Sequence, residues 1–213
     1  MDKGERVKAL LKGLRQLYPD AHCELDYSTP LELLVAVILS AQCTDVRVNK
    51  TTKALFRRYP TAADYAAADP GELEGLIRSC GFYRMKAKSI METARLILAD
   101  FGGKVPDTME GLLSLRGVAR KTANVVLGEV YGKPSGVVVD THMKRLAWRF
   151  GLTEEEDPVK VERDLAICVP RKDWIFWSHA VIWHGRRVCK ALNPSCDACS
   201  LRRDCPQRGV DAE

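Results

Sequence analysis

Half of the cysteines of this 213-residue chain crowd near its C-terminus, in the run Cys189-x6-Cys196-x2-Cys199-x5-Cys205, while Cys23, Cys43, Cys80 and Cys168 are scattered. Four thiolates in short loops can converge on one centre, and zinc and a [4Fe–4S] cluster both accept four cysteine ligands. Zinc sites usually pair their cysteines in two C-x2–4-C knuckles, and this run holds only one such spacing. Unliganded surface thiols this close together would be prone to oxidation, so metal ligation is the reading adopted. The scattered four lie in or beside apolar segments and are expected to be small core residues. Arg186, Arg187, Lys190, Arg202 and Arg203 lie between and beside the ligands and would present positive charge to phosphates.

A second stretch, Leu112-Leu113-Ser114-Leu115-Arg116-Gly117-Val118-Ala119-Arg120-Lys121-Thr122-Ala123-Asn124-Val125-Val126, predicts a helix ending near Leu115, a tight turn through Gly117-Val118-Ala119 and a new helix from about Arg120. Such a turn aims free backbone N–H groups outward, where they bind phosphate without reading sequence. Nineteen residues beyond Lys121, Val139-Asp140-Thr141-His142 places an aspartate at a predicted helix start. A lysine and a carboxylate can serve as amine nucleophile and proton-handling partner. The amine must be neutral to attack carbon, and desolvation or the positive end of a helix favours that form. On spacing alone, a plain N-cap role for Asp140 and a solvated position for Lys121 stay open.

The elements that must position these residues are helical. With 46% hydrophobic and 29% charged residues and a formal net charge of +5, the chain has apolar surface enough for a core and no charge imbalance to hold it open. Wholesale disorder is excluded. The longest apolar stretch, Leu33 to Leu39, is far short of the roughly 20 residues that span a bilayer, so no membrane association is expected. The N-terminal MDKGERVKAL has no apolar signal core, so a cytoplasmic, reducing compartment is expected, with nucleoid association if the source is bacterial.

Val7, Leu10, Leu11, Leu14 and Leu17 share one stripe of an amphipathic first helix. Thr29-Pro30-Leu31-Glu32 combines a capping residue, proline at the first helical position and glutamate three after the cap, and it opens LLVAVILS, apolar on every side and therefore buried. Asp69-Pro70-Gly71-Glu72, Asp107-Thr108-Met109-Glu110 and Thr153-Glu154-Glu155-Glu156 repeat the cap-to-glutamate spacing. Gly81, Gly102, Gly103, Gly132 and Gly151 fall where helices should stop. Only Gly136-Val137-Val138-Val139 has strand composition, and it reads as an extended linker. The chain is predicted to be all-α, with about nine or ten short helices, no internal repeat, and a domain boundary at Gly132-Lys133-Pro134-Ser135-Gly136.

The hairpin L-x-G-V-x-R-K-T-A, the VDTH segment and the four-cysteine run, in this order and separation, resemble the endonuclease III family of DNA glycosylase/AP lyases. Ser40-Ala41-Gln42-Cys43-Thr44-Asp45 with Val48-Asn49-Lys50, and Gly81-Phe82-Tyr83 with Lys86-Ala87, extend the resemblance over about residues 5 to 205. It implies a two-domain helix-hairpin-helix DNA glycosylase fold. A six-helix barrel would span residues 23–134, with the hairpin near 112–126. Residues 1–22 and 135–213 would form a second helical domain, holding a [4Fe–4S] cluster on Cys189, Cys196, Cys199 and Cys205 in a loop over 189–205.

The same resemblance implies double-stranded DNA with damaged bases or abasic sites as the partner, lying across the cleft, and a protein working as a monomer. A damaged pyrimidine would be flipped from the stack. Lys121 would attack the sugar C1′, expel the base and form a Schiff base, and β-elimination would then cut 3′ to the lesion. Asp140 would stabilise charge on the sugar or activate the lysine. Gln42 would fill the space left by the flipped nucleotide, and Phe82 would enter the stack from the opposite side as an apolar wedge, a core position being its alternative. Arg116, Gly117, Val118, Ala119, Arg120 and His142 match DNA-contacting positions, and Ser40 and Asp45 match the pocket or its rim.

The chain departs from the family hairpin, L-P-G-V-G, at Arg116 and Ala119, and has Leu113 where an acidic residue is common. Alanine at a position requiring φ > 0 or close approach to a phosphate would cost about 1 kcal/mol. Arg116 would offset this by a phosphate contact, and Ala119→Gly is expected to tighten binding to abasic DNA. Leu113 would alter the polarity of the pocket, leaving the reaction class but changing rate or lesion range. An adenine-mismatch glycosylase is disfavoured by Lys121 and by the chain's end at Glu213. A damage-binding protein without turnover is disfavoured by the presence of both Lys121 and Asp140.

Overall fold

Most helix starts in this chain are set by single side chains. The computed structural model describes residues 2–210, and among them it has eleven α-helices and no strand. They are α1 (Lys3–Leu17), α2 (Pro30–Ser40), α3 (Asp45–Arg58), α4 (Ala62–Ala66), α5 (Pro70–Ile77), α6 (Tyr83–Phe101), α7 (Met109–Leu113), α8 (Arg120–Tyr131), α9 (Thr141–Arg149), α10 (Pro158–Cys168) and α11 (Trp174–Arg187). Short 3-10 turns occupy Arg78–Cys80, Arg171–Asp173 and Arg202–Asp204. The count slightly exceeds the predicted one, and the five-residue α4 is too short to show a helical period.

Asp2, Thr29, Thr44, Thr61, Asp69, Thr108, Asp140 and Asp157 each accept a backbone N–H from the first turn of the helix that follows, and each such cap stabilises by about 1 kcal/mol. Two expected caps are displaced. Thr108 rather than Asp107 caps α7, accepting from Gly111 N at 3.1 Å, because the Asp107 carboxylate pairs with Lys133. Thr153 caps no α-helix. It is fully buried, its hydroxyl donates to Asp164 Oδ2 at 2.6 Å and accepts from Glu155 N at 3.0 Å, and the next helix begins only at Pro158, under Asp157.

Residues 24–133 form one compact unit. Leu33 to Leu39 of α2 are all buried, and α3, α6 and α8 pack against α2. Residues 1–23 and 134–213 form the other. Its core joins Val7, Leu10, Leu11 and Leu14 of α1 to side chains of α9, α10 and α11. Leu17, on the predicted stripe, is 39% exposed because it is the last residue of its helix. Val137, Val138 and Val139 are buried in an extended connection, where Val138 N donates to Ser178 Oγ at 3.0 Å. Of the scattered cysteines only Cys80 is buried; Cys23, Cys43 and Cys168 lie in loops or at a helix end and are half-buried. Among the described residues no helix is long and apolar enough to cross a membrane.

The two bonds of the Thr153 hydroxyl make it a stability determinant rather than a cap. Thr153→Val, which keeps the shape and removes both bonds, is expected to lower unfolding free energy by about 1–3 kcal/mol. Denaturant melts measure this directly, and a change below about 0.5 kcal/mol would show that the buried bonds carry no net stability.

Candidate functional site

The hairpin is built on one glycine. After α7, Leu115 and Val118 turn inward and are buried, and the backbone reverses at Gly117 with φ 76°. A Cβ there would be strained by its φ and would lie 3.0 Å from Ser89 Cβ and Oγ. Arg116 is not free for phosphate as expected. Its guanidinium pairs with Glu92 at 2.6 Å, and its carbonyl accepts from Thr93 Oγ1 at 2.7 Å, so α6 holds it from both ends.

Ala119 also corrects an expectation. Its φ is −90° and ψ 169°, an extended conformation open to any residue, so no left-handed strain attaches to it. It provides no side-chain cap. The first helical bond of α8 is Ala123 N to Ala119 O, so the amides of the first turn, those of Lys121 and Thr122 among them, precede the helical ladder. Together with the helix dipole this makes the start of α8 an anion-attracting end. Arg120 and Lys121 are exposed there, with Lys121 at the second helical position. Leu113, the other departure, is exposed on α7.

Two loops of the same unit carry non-glycine residues in the left-handed region: Gln42 at φ 53° between α2 and α3, and Phe82 at φ 46° immediately before α6. Each such residue costs about 1–2 kcal/mol, and strain of this kind concentrates at functional sites. Both side chains are exposed, and Phe82 at 66% is not a core residue. Ser40 is half-buried at the end of α2, its hydroxyl donating to Val37 O at 2.9 Å, and Asp45 is the first residue of α3.

In the other unit, Asp140 caps α9 through Oδ1, which accepts from Met143 N at 2.7 Å. His142 is half-buried, 3.3 Å from Arg145 Nη2, and burial holds its imidazole below the usual histidine range, against the opposing pull of Asp140. Cys189, Cys196, Cys199 and Cys205 line one pocket together with Arg149, Phe150 and His184. Among the described residues no three His, Cys, Asp or Glu side chains converge to hold a single metal ion.

The surroundings of the sulfurs suit thiolates. Arg149 is buried and donates to Cys189 Sγ at 3.2 Å and to Lys190 O at 2.7 Å. Gln207 N donates to Cys205 Sγ at 3.3 Å. Burial pushes His184 down to about 4, so its ring is neutral. Its Nδ1 lies 3.0 Å from the Tyr18 hydroxyl and its Nε2 3.5 Å from Cys199 Sγ, so the tautomer protonated on Nε2 accepts from Tyr18 and donates to that sulfur. Burial pushes the thiol of Cys205 up to about 11 and raises Cys199 as well. Metal ligation removes those protons outright.

Arg149, His184 and Tyr18 were not visible as site residues in the sequence. The only trace is that Arg145 and Arg149 are four apart on one face of α9, from which Arg145 donates to Gly185 O and Cys189 O. Not all the surrounding charge faces phosphates as expected. Arg202 pairs with Asp197, and Arg187 stacks over Trp183 at 3.9 Å.

Comparison with known proteins agrees with this geometry. Residues 35–171 match the HhH-GPD superfamily base excision DNA repair protein model. The chain is 54% identical to endonuclease III of Synechocystis over 204 residues, covering 96% of this chain and 93% of the relative. It is 44% identical to that of Bacillus subtilis, covering 94% and 92%. A structure described as a trapped endonuclease III–DNA covalent intermediate, an estranged-adenine complex, superposes with a TM-score of 0.92 at 41% identity, covering 97% of both chains.

The two hairpin positions are expected to separate on substitution. Gly117→Ala should destabilise the protein by about 1–2 kcal/mol or more and weaken binding to an abasic-analogue duplex. Ala119→Gly, which relieves no strain, should leave affinity within about twofold, since glycine differs little at a cap without a side-chain bond. Fluorescence anisotropy on one duplex measures both, and a marked gain for Ala119→Gly would show that its Cβ obstructs the phosphate.

Proposed function

The chain belongs to the endonuclease III family of base excision DNA repair proteins, and we propose that it removes oxidised pyrimidines from duplex DNA with Lys121 as the nucleophile. Members of the family are DNA glycosylases and AP lyases, and this chain is one: it binds DNA and acts on it in repair. What carries the assignment of the nucleophile is the exposed amine of Lys121 on the first turn of α8, directly after the phosphate-attracting hairpin.

The uncapped amides of α8 hold a backbone phosphate beside the lesion. Gln42 and Phe82 fill and hold open the stack from which the damaged nucleotide has turned out. The Lys121 Nζ lone pair attacks C1′, the C1′–N bond breaks, and the base leaves with the bonding pair and takes up a proton. The sugar ring opens to a Schiff base. Loss of a C2′ proton then drives cleavage of the C3′–O bond, and hydrolysis of the remaining imine frees the lysine. Asp140, with Oδ1 committed to Met143 N, supplies the carboxylate that balances positive charge on the sugar. His142, Ser40 and Asp45 are assigned pocket or pocket-rim roles by the same family resemblance.

The donor set at Cys189, Cys196, Cys199 and Cys205 fits a [4Fe–4S] cluster, which these thiolates would hold and which would cross-link the loop 189–205. Arg149, His184 and Gln207 N stabilise the ligand sulfurs. The protein acts as a monomer in the cytoplasm, on the chromosome, with residues 24–133 as the barrel that carries the hairpin.

Borohydride trapping on duplexes containing thymine glycol or an abasic site tests the chemistry. Wild type should give a covalent adduct on both, and Lys121→Gln on neither. Asp140→Asn keeps a capping side chain and so the fold, and should slow trapping by about a hundredfold or more. Trapping on the abasic duplex alone would leave a lyase whose base specificity lies elsewhere. Binding of both without trapping would make the protein a damage-binding one.

The purified protein should be brown, with a broad visible absorption band and about four irons per chain. A colourless protein with one zinc per chain would overturn the cluster.

A further inference from the structure

One buried charge in residues 24–133 has no part in the chemistry above. Lys86 lies on the first turn of α6 and is 6% exposed. Its ammonium donates to Leu39 O at 2.7 Å and to Cys80 O at 2.8 Å. Burial holds its pKa below the usual lysine range, opposed only by the nearby thiols of Cys43 and Cys80, so no carboxylate neutralises it. A lone ammonium buried on two carbonyls is costly, and what it joins is specific.

Leu39 is three residues before Gln42, and Cys80 is two before Phe82. The backbone N–H of Lys86 itself donates to Phe82 O at 3.0 Å. One residue thus grips both segments that lead into the strained, exposed side chains Gln42 and Phe82. The 3-10 turn Arg78–Cys80 is braced from its other side by Thr51 of α3, whose hydroxyl is 2.8 Å from Ser79 Oγ. With the backbone at both sites in the left-handed region, a small slip at either carbonyl would redirect the side chain beyond it.

We infer that Lys86 is the positioning residue that sets the spacing of Gln42 and Phe82, so that the two enter a duplex together. This rests on the reading of those two residues as the ones that enter DNA. If Lys86 acts through them, its loss should matter only while they are present, which a general structural role would not produce.

The test is a coupling measurement on single-turnover incision of a thymine-glycol duplex. Four proteins are compared: wild type, Lys86→Met, the double variant Gln42→Ala/Phe82→Ala, and the triple variant. Lys86→Met is expected to slow incision on the order of tenfold, and the double variant at least as much. In the triple variant, Lys86→Met should cost no more than about twofold beyond the double. The same tenfold loss in both backgrounds, or no loss in either, would overturn the inference. A double variant with wild-type rates would instead show that Gln42 and Phe82 do not enter DNA, which removes the underlying reading. Should Lys86→Met fail to fold, Lys86→Arg, which keeps charge and donors at a different reach, is expected to show the same coupling with a smaller loss.

Discussion

The turn at Gly117 strains any residue with a side chain, and the direction in which Lys121 emerges follows from that. The backbone must take a positive φ where a Cβ would lie 3.0 Å from Ser89, so the residues after it leave at a fixed angle to α6 and enter α8 with no capping side chain in between. Arg116 is consumed in holding this turn to Glu92 and Thr93. The first amides of α8 and Lys121 are therefore presented outward by a rigid connection, not by a flexible loop.

Capping is uneven among the helices. Most are closed by an Asp or Thr that satisfies an orphan amide. α6, α8 and α11 are not closed in this way: they start at Phe82, Ala119 and Asp173, none of which caps with its side chain. A helix end left without a cap is less stable, by about 1 kcal/mol, but it can meet an anion. Gln42 and Phe82, with left-handed backbone, likewise give up stability to hold exposed side chains in place.

The sulfur pocket follows a different rule. Cys199 and Cys205 are harder to ionise, chiefly because of burial and then because of the neighbouring thiols. Their neighbours are donors, not carboxylates: a buried guanidinium, a neutral imidazole fixed by a tyrosine, and a backbone amide. Such a shell suits anionic sulfur ligated by metal and leaves it poorly matched to free thiols.

Much of this was legible in the sequence, because it depends on local geometry. The all-helical class, the burial of α2, the glycine helix stops and the hairpin follow from periodicity and from residues acting within one turn of themselves. The four cysteines and the Lys121 and Asp140 positions were likewise legible as motifs. Contacts between distant segments were not. Thr153 had the spacing of a cap, but a carboxylate eleven residues on takes its hydroxyl. Ala119 looked strained, but the chain places the positive φ two residues earlier, at Gly117. Arg116 looked free, and α6 pairs it. The bonds of Lys86 to Leu39 and Cys80, and of Arg149 to Cys189, span up to 47 residues. Sequence alone determined which residues could do chemistry, since type and short spacing suffice for that. Tertiary structure decided which are held, paired or left open, because a buried donor takes whichever acceptor the packing brings to it.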